Sequence, residues 1–164
     1  MNIKLTHPNA ILPLRAHDTD AGWDLYVAEV KKGFPYQNQI WYDFGVAFDI
    51  PKGWVGLVFP RSSVGAKMDL TLSNCVGVID SGYTGSVKAI FDTLIRDWAR
   101  FSKSSKNSDG FAEEDTNYTR TYKVGDRAAQ IVFLPLADVQ ELTVVEDFDK
   151  ETSRGSGGFG SSGE

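Results

Sequence analysis

Phe44-Gly45-Val46-Ala47-Phe48-Asp49-Ile50, then the turn Pro51-Lys52-Gly53, then Val55-Gly56-Leu57-Val58-Phe59, is the stretch that decides the fold. In its first part the even positions carry the large apolar side chains, the period-2 pattern of a strand with one face on a core. Pro51-Lys52-Gly53 is turn chemistry, and the run after it is again rich in β-formers. The same pattern returns in Gln130-Ile131-Val132-Phe133-Leu134, behind the turn Val124-Gly125-Asp126, and in residues 70–76 and 86–91. There is no internal repeat and no strand–helix alternation. Short strands with Gly and Pro between them predict one all-β domain with little helix, a β-sandwich or jelly roll.

The whole chain bounds the reading further. It has 164 residues, enough for one domain with a sizeable core, and an ordinary globular composition with 41% hydrophobic and 24% charged residues. No apolar run approaches the roughly 18 residues of a membrane span, and Met1-Asn2-Ile3-Lys4 does not open a signal peptide. A net charge of −5 argues against a broad nucleic-acid footprint, so phosphate binding would need locally placed arginines. Cys75 is the one cysteine, which fits a reducing cytoplasm; within a strand it reads as an inert core thiol. His7 and His17 have no metal-ligand spacing and read as exposed.

Midway along the chain, residues 70–76 and 86–91 predict two strands of a hairpin around Val78-Ile79-Asp80-Ser81-Gly82-Tyr83-Thr84-Gly85. Asp80 would open its turn, Gly82 would be free to take positive φ, and Tyr83 would stand at the exit. Three other clusters have chemical potential. Thr19-Asp20-Ala21-Gly22-Trp23-Asp24-Leu25 enters a strand with acids either side of a turn glycine. Pro60-Arg61-Ser62-Ser63-Val64-Gly65 offers a guanidinium, hydroxyls and backbone N–H groups, equipment for an anion. Gly125-Asp126-Arg127-Ala128-Ala129-Gln130 leads into a strand with Arg127 free to pair an acid. Alone, the first reads equally as an Asx-type turn, the second more readily as an ordinary surface turn, and the third by default as a structural ion pair. No Ser/His/Asp or Cys/His arrangement suggests covalent catalysis.

Two stretches stand outside this rhythm. In residues 92–121, Leu94, Ile95, Trp98 and Phe101 share one face of a short helix with Asp92 or Thr93 as cap, and the remainder reads as polar loop. Basic Arg96, Arg100, Lys103 and Lys106 followed by acidic Asp109, Glu113, Glu114 and Asp115 make this insertion a candidate docking arm. Burial in the protein's own assembly is the plainer reading of its apolar face. In the tail, Gly155, Gly157 and Gly160 satisfy G-x-G-x-x-G but lack the strand before and helix after that a dinucleotide fold requires. Alone the tail reads first as a flexible end; its Arg154 and Phe159 make a mobile lid with an anion-binding and a stacking residue the sharper alternative.

In order and spacing, five segments closely resemble the trimeric dUTP pyrophosphatases (dUTPases). They are Asp20-Ala21-Gly22-Trp23-Asp24-Leu25, Pro60-Arg61-Ser62-Ser63, residues 74–85 from Asn74 to Gly85, Gly125-Asp126-Arg127-Ala128-Ala129-Gln130, and the glycine-rich tail from Arg154 to Gly163. The match spans nearly the whole chain outside 92–121, and that insertion resembles bacteriophage members of the family. The resemblance implies a jelly-roll homotrimer with three sites at subunit interfaces. Each site would take the first, second and fourth segments from one subunit, the central one from a second and the tail, 153–164, from the third.

The implied reaction is dUTP and water to dUMP and pyrophosphate, with Mg²⁺ on the triphosphate and no direct protein ligand to the metal. It keeps uracil out of DNA and supplies dUMP for thymidylate synthesis. Asp80 would activate the water that attacks the α-phosphorus, and Tyr83 would pack on the deoxyribose and exclude a 2′-hydroxyl. Asn74, Val78 and Ile79 would read the uracil. Arg61, Ser62, Ser63 and Gln130 would contact phosphates, with Asp24 and Arg127 in support and Lys88 as a further substrate contact. Phe159 would stack on the base, while Arg154, Gly160, Ser161 and Ser162 close on the γ-phosphate.

Departures bear on this. Ser63 replaces a common glycine, tolerable if the contact is through backbone N–H, and Ala128-Ala129 replaces a branched residue, a packing change. Two other readings compete. A dCTP deaminase of the same fold would need a catalytic glutamate on the strand after the central loop, where Ile90 stands. A non-catalytic interaction protein would use 92–121 as its working surface, but would have no need of five chemically intact segments.

Overall fold

A computed structural model of the chain describes residues 1–32, 39–94, 121–139, 141–150, 152, 153 and 156. Among them are ten strands and one short helix. The strands are β1 (Asn2–Leu5), β2 (Trp23–Tyr26), β3 (Glu29–Lys32), β4 (Gln39–Asp43), β5 (Val46–Asp49), β6 (Trp54–Pro60), β7 (Leu70–Leu72), β8 (Gly77–Ile79), β9 (Lys88–Thr93) and β10 (Arg127–Pro135), and the helix is α1 (Ser62–Lys67). One four-stranded sheet runs β2-β10-β6-β8, a second runs β3-β4-β9-β7, and β1 and β5 form a ribbon. Every pairing is antiparallel. This is the expected jelly-roll-like β-sandwich. No helix among the described residues is long and apolar enough to cross a membrane.

The core joins both sheets in one cluster: Leu25, Val58 and Ile131 from the first sheet meet Tyr42, Phe91 and Leu70 from the second. The pattern that decided the fold holds, with Phe44, Val46, Phe48 and Ile50 all buried. Gly45 and Ala47, on the other face, are buried as well. Gly45 has φ +65, and a Cβ there would lie within 2.9 Å of the Cβ atoms of His7, Ala10 and Ala28, so no larger residue fits. The turn before β6 closes through Trp54 N–H to the Pro51 carbonyl (3.1 Å), with Gly53 at φ +81. β6 and β10 then pair from Ala129↔Pro60 to Pro135↔Trp54.

Several local expectations are corrected. The strand expected over 70–76 stops at Leu72, because Cys75 N–H bonds to the Leu72 carbonyl (3.0 Å) and Cys75 itself takes φ 62. Cys75 is therefore an exposed turn residue and not a core thiol. β7 does pair with β9, but the chain between them crosses to the other sheet, where β8 joins β6 through Gly56↔Ile79 and Val58↔Gly77. The central segment is thus an excursion between two sheets and not a simple hairpin. Its turn exists, closed by Tyr83 N–H to the Asp80 carbonyl (3.0 Å), yet Gly82 does not use the left-handed region.

The last correction concerns Asp92 and Thr93. They pair with Gln39 and Leu70 inside β9, so they cap no helix, and the cross-strand bond from Gln39 Nε2 to Asp92 Oδ1 (3.0 Å) uses that carboxylate. Of the apolar face expected beyond them, Ile95, Trp98 and Phe101 lie outside the described residues. His17 is exposed as expected, whereas His7 is half-buried and its Nδ1 accepts the Asn9 N–H at 3.1 Å.

Candidate active site

β2, β10 and the start of α1 converge on Asp24. Its Oδ1 meets Arg61 Nε at 2.8 Å and its Oδ2 meets Arg127 Nη1 at 2.9 Å. Asp24 stands opposite Gln130 across the β2–β10 pair, so these two share a face. Arg127, three residues from Gln130, belongs on the opposite face of a regular strand. A register shift between Arg127 and Ala129 inserts one residue and returns Arg127 to the Asp24 side. Ala128 and Ala129, which form this irregularity, are both fully buried.

Around this clamp lies an open cleft of about 430 Å³ lined by Ala16, Asp20, Ala21, Gly22, Asp24, Arg61, Ser62, Gln130 and Val132. The carboxylate of Asp24 is mostly covered, at 14% exposure, while its two guanidiniums are less so. One anion against two cations leaves a surplus positive charge, and Asp24 fixes where it stands. Arg61 takes the cap position of α1 without a side-chain cap bond. The first backbone N–H groups of the helix, at Ser62 and Ser63, therefore lack intrahelical acceptors. The Ser63 hydroxyl turns away, 3.4 Å from the Tyr122 hydroxyl, and Ser63 does not line the cleft. Its backbone N–H is what remains for a ligand.

Gln130 Nε2 donates to the Pro60 carbonyl at 3.4 Å, and its Oε1 lies 2.6 Å from where a Cβ on residue 22 would stand. Gly22 thus makes room for Gln130. Neither Gly22 nor Asp20, whose Oδ2 accepts the His17 N–H (2.9 Å), was given a role from the sequence. The pairing of small residues Ala21 and Gly22 beside Asp24 was the available signal.

The other expected site residues lie elsewhere on the chain. Asn74, Val78, Asp80 and Tyr83 are exposed on the central excursion, with Ile79 half-buried, and none lines the cleft. Val78 is 60% exposed although it sits in β8. Lys88 pairs with Asp43 (3.6 Å) beside a second cavity of about 200 Å³, lined also by Glu29, Lys31, Trp41 and Tyr42. Arg154, Phe159, Gly160, Ser161 and Ser162 lie outside the described residues.

A single chain therefore assembles an open cleft with a two-guanidinium clamp on a jelly-roll sheet, Asp20 facing it from the rim, and presents its aspartate–tyrosine loop apart from it. A β-sandwich that holds two guanidiniums on one carboxylate at the mouth of a cleft is the framework of an anion-binding β protein. Compared with known families, the chain matches dUTPase over residues 8–95 and 114–163. It is 37% identical over 160 residues to the deoxyuridine 5'-triphosphate nucleotidohydrolase of Mycolicibacterium gilvum (strain PYR-GCK), covering 95% of this chain and 90% of that one. To the enzyme of the same name from Escherichia phage T5 it is 35% identical, covering 99% of this chain and 98% of the relative. Among solved structures, the Staphylococcus bacteriophage 80alpha dUTPase with dUPNHPP superposes with a TM-score of 0.76 at 34% identity, covering 99% of this chain and 98% of that one. The chain belongs to the dUTPase family.

Proposed function

We propose that this chain hydrolyses dUTP to dUMP and pyrophosphate, in sites completed only when three copies assemble. The observation that carries the reading is the separation just described. The Arg61–Asp24–Arg127 clamp is preformed in one chain, while Asp80 and Tyr83 stand exposed outside its cleft. A second copy is the natural source of the missing loop. Large apolar residues after β10 support assembly: Leu142, Val144 and Phe148 are 87%, 98% and 87% exposed, too apolar a segment to leave in water. The tail, residues 153–164, would close each site as a lid from the third copy.

In this site Arg61, Gln130 and the N–H groups of Ser62 and Ser63 hold the phosphates, with Asp24 and Arg127 fixing the Arg61 guanidinium. Asn74 and the Val78–Ile79 backbone read the uracil, and Tyr83 packs on the deoxyribose. Asp80 takes a proton from water as its oxygen bonds to the α-phosphorus. The bond to the bridging oxygen of the β-phosphate breaks in line with it, and pyrophosphate leaves. Lys88 serves the substrate at the edge of the loop. Arg154, Gly160, Ser161 and Ser162 meet the γ-phosphate, and Phe159 stacks on the base.

The residues present fit Mg²⁺ carried by the triphosphate and its water. Both Asp24 oxygens already face guanidiniums, so that carboxylate is committed to the clamp. A hard cation that keeps its waters and substrate phosphates needs no protein cage. When bound, such an ion neutralises phosphate charge; Asp24 and Asp20 are the acids that line the cleft beside it. The lone thiol Cys75 suits work in a reducing cytoplasm.

Incubation with dUTP and with dCTP, each with and without Mg²⁺, tests the reading. Pyrophosphate from dUTP, promoted by Mg²⁺, is expected. Ammonia from dCTP would establish the deaminase instead.

A further inference from the structure

Tyr83 is a half-exposed ring whose posture depends on groups outside the five segments. Its hydroxyl donates to the Ser86 carbonyl at 2.9 Å. The ring lies back over Gly85, where a Cβ would stand 2.6 Å from the hydroxyl oxygen and 2.8 Å from the carbon that bears it. A ring held by one bond at its tip is only as steady as the acceptor. The Ser86 carbonyl is fixed on both sides. After it, Val87 N–H bonds to the Val46 carbonyl (2.8 Å) and the Val87 carbonyl accepts from Phe44 N–H (3.0 Å). At Ser86 itself, the hydroxyl donates to Asp43 Oδ1.

Asp43 is in turn well held. It ends β4, stands opposite Lys88 across the β4–β9 pair and is 19% exposed. Oδ1 also accepts the Gly45 N–H at 2.8 Å, and Oδ2 faces Lys88 Nζ at 3.6 Å. The hydroxyl-to-carboxylate bond is charge-assisted and short-ranged, so it fixes geometry better than a neutral contact would. A relay of contacts thus runs from β4 to the Tyr83 ring.

We propose that Asp43 is a positioning residue for Tyr83, acting through Ser86, and that it sets how strictly this chain refuses a 2′-hydroxyl. The inference rests on Tyr83 facing the deoxyribose. Exclusion by shape works only if the excluding ring does not yield. Freed from Ser86, the ring can retreat by the fraction of an ångström that admits a ribose, while dUTP loses only some packing.

Kinetics on dUTP and UTP test this in the full-length protein. Asp43→Ala and Ser86→Ala should each raise the UTP-to-dUTP ratio of kcat/KM by about tenfold, ~1.4 kcal/mol. The change should fall on KM, because the water-activating Asp80 is untouched. Asp43→Asn keeps an acceptor oxygen for Ser86 and Gly45 without the charge, so its ratio should fall between that of the unmutated chain and that of Asp43→Ala. Ser86→Ala removes only one half-buried hydroxyl, leaves the backbone carbonyl that Tyr83 uses, and carries the test if Asp43→Ala does not fold. Equal losses on both nucleotides, or an unchanged ratio where Tyr83→Ala raises it, overturn the inference alone. An unchanged ratio in Tyr83→Ala removes Tyr83 from the sugar and takes the inference with it.

Discussion

The phosphate cleft and the central excursion are built on opposite plans. The cleft is a rigid electrostatic device: Asp24, Arg61 and Arg127 come from three elements and lock one another within 2.9 Å. The excursion, residues 73–87, is largely exposed; its order comes from the pairing of β8 with β6, a turn at Asp80, a glycine under Tyr83 and a tether to Asp43. One region must hold cations in place before substrate arrives, and a low-entropy preorganised clamp does that within one chain. On the function proposed above, the other would offer a water-activating acid and a sugar wall to the cleft of another copy. On that reading the difference teaches that the clamp is a property of the single chain, whereas the chemistry would be a property of the assembly.

Three substitutions sharpen this contrast. The largest effect belongs to the loop. Asp80→Asn should lower kcat by at least ~10², the lower range for losing general-base assistance, with binding of a non-hydrolysable dUTP analogue retained. Rapid-quench turnover and calorimetric titration separate the two; a near-normal kcat would remove Asp80 from the reaction. In the cleft, Gly22→Ala places a methyl 2.6 Å from Gln130 Oε1, the mobile end of a side chain. Gln130 should swing aside, so KM for dUTP should rise about tenfold while kcat and Tm change little. An unchanged KM would show that Gln130 does not meet phosphate.

The smallest effect lies in the core beneath both regions. Burial pushes the Tyr42 hydroxyl up from 10.0 to about 12, against the opposing bond it accepts from Tyr122 N–H at 3.0 Å. The unfolded chain releases this proton first, so stability is intact below pH 10 and is lost as pH rises from there through 12. Tyr42→Phe should flatten that part of the Tm-against-pH curve. At neutral pH it should cost about 1–3 kcal/mol, because Tyr122 N–H is left buried without its acceptor. A curve that keeps its slope would assign the alkaline loss to other groups.

Much of the fold was legible because burial writes itself into alternation. Phe44 to Ile50 and Val55 to Phe59 show it, and so does the run Gln130 to Leu134 within the longer β10. What alternation cannot supply is the partner of a strand. Leu70, Thr71 and Leu72 before Ser73-Asn74, and Val76, Val78 and Ile79 after it, all suit a strand, yet β7 and β8 go to different sheets, a choice made by tertiary pairing. The helix α1 escaped notice because six residues with two serines and a glycine carry no helical period. The Asp24–Arg127 pair was expected; the shift that lets Arg127 reach it is a matter of register and left no mark in composition. Asp43 was invisible for the same kind of reason, since it meets Ser86 across 43 residues and two strands.

Complementation between two inactive variants tests the shared site most directly. Asp80→Asn damages only the loop and Arg61→Ala only the cleft, so neither homotrimer should turn over dUTP appreciably. If each site joins the cleft of one copy to the loop of another, co-refolding at equal stoichiometry should restore about a quarter of the unmutated activity, the statistical share of intact pairings in a closed three-fold ring. Mixtures that stay as inactive as their parents, in trimers shown to contain both chains, would place cleft and loop in one subunit and contradict the account.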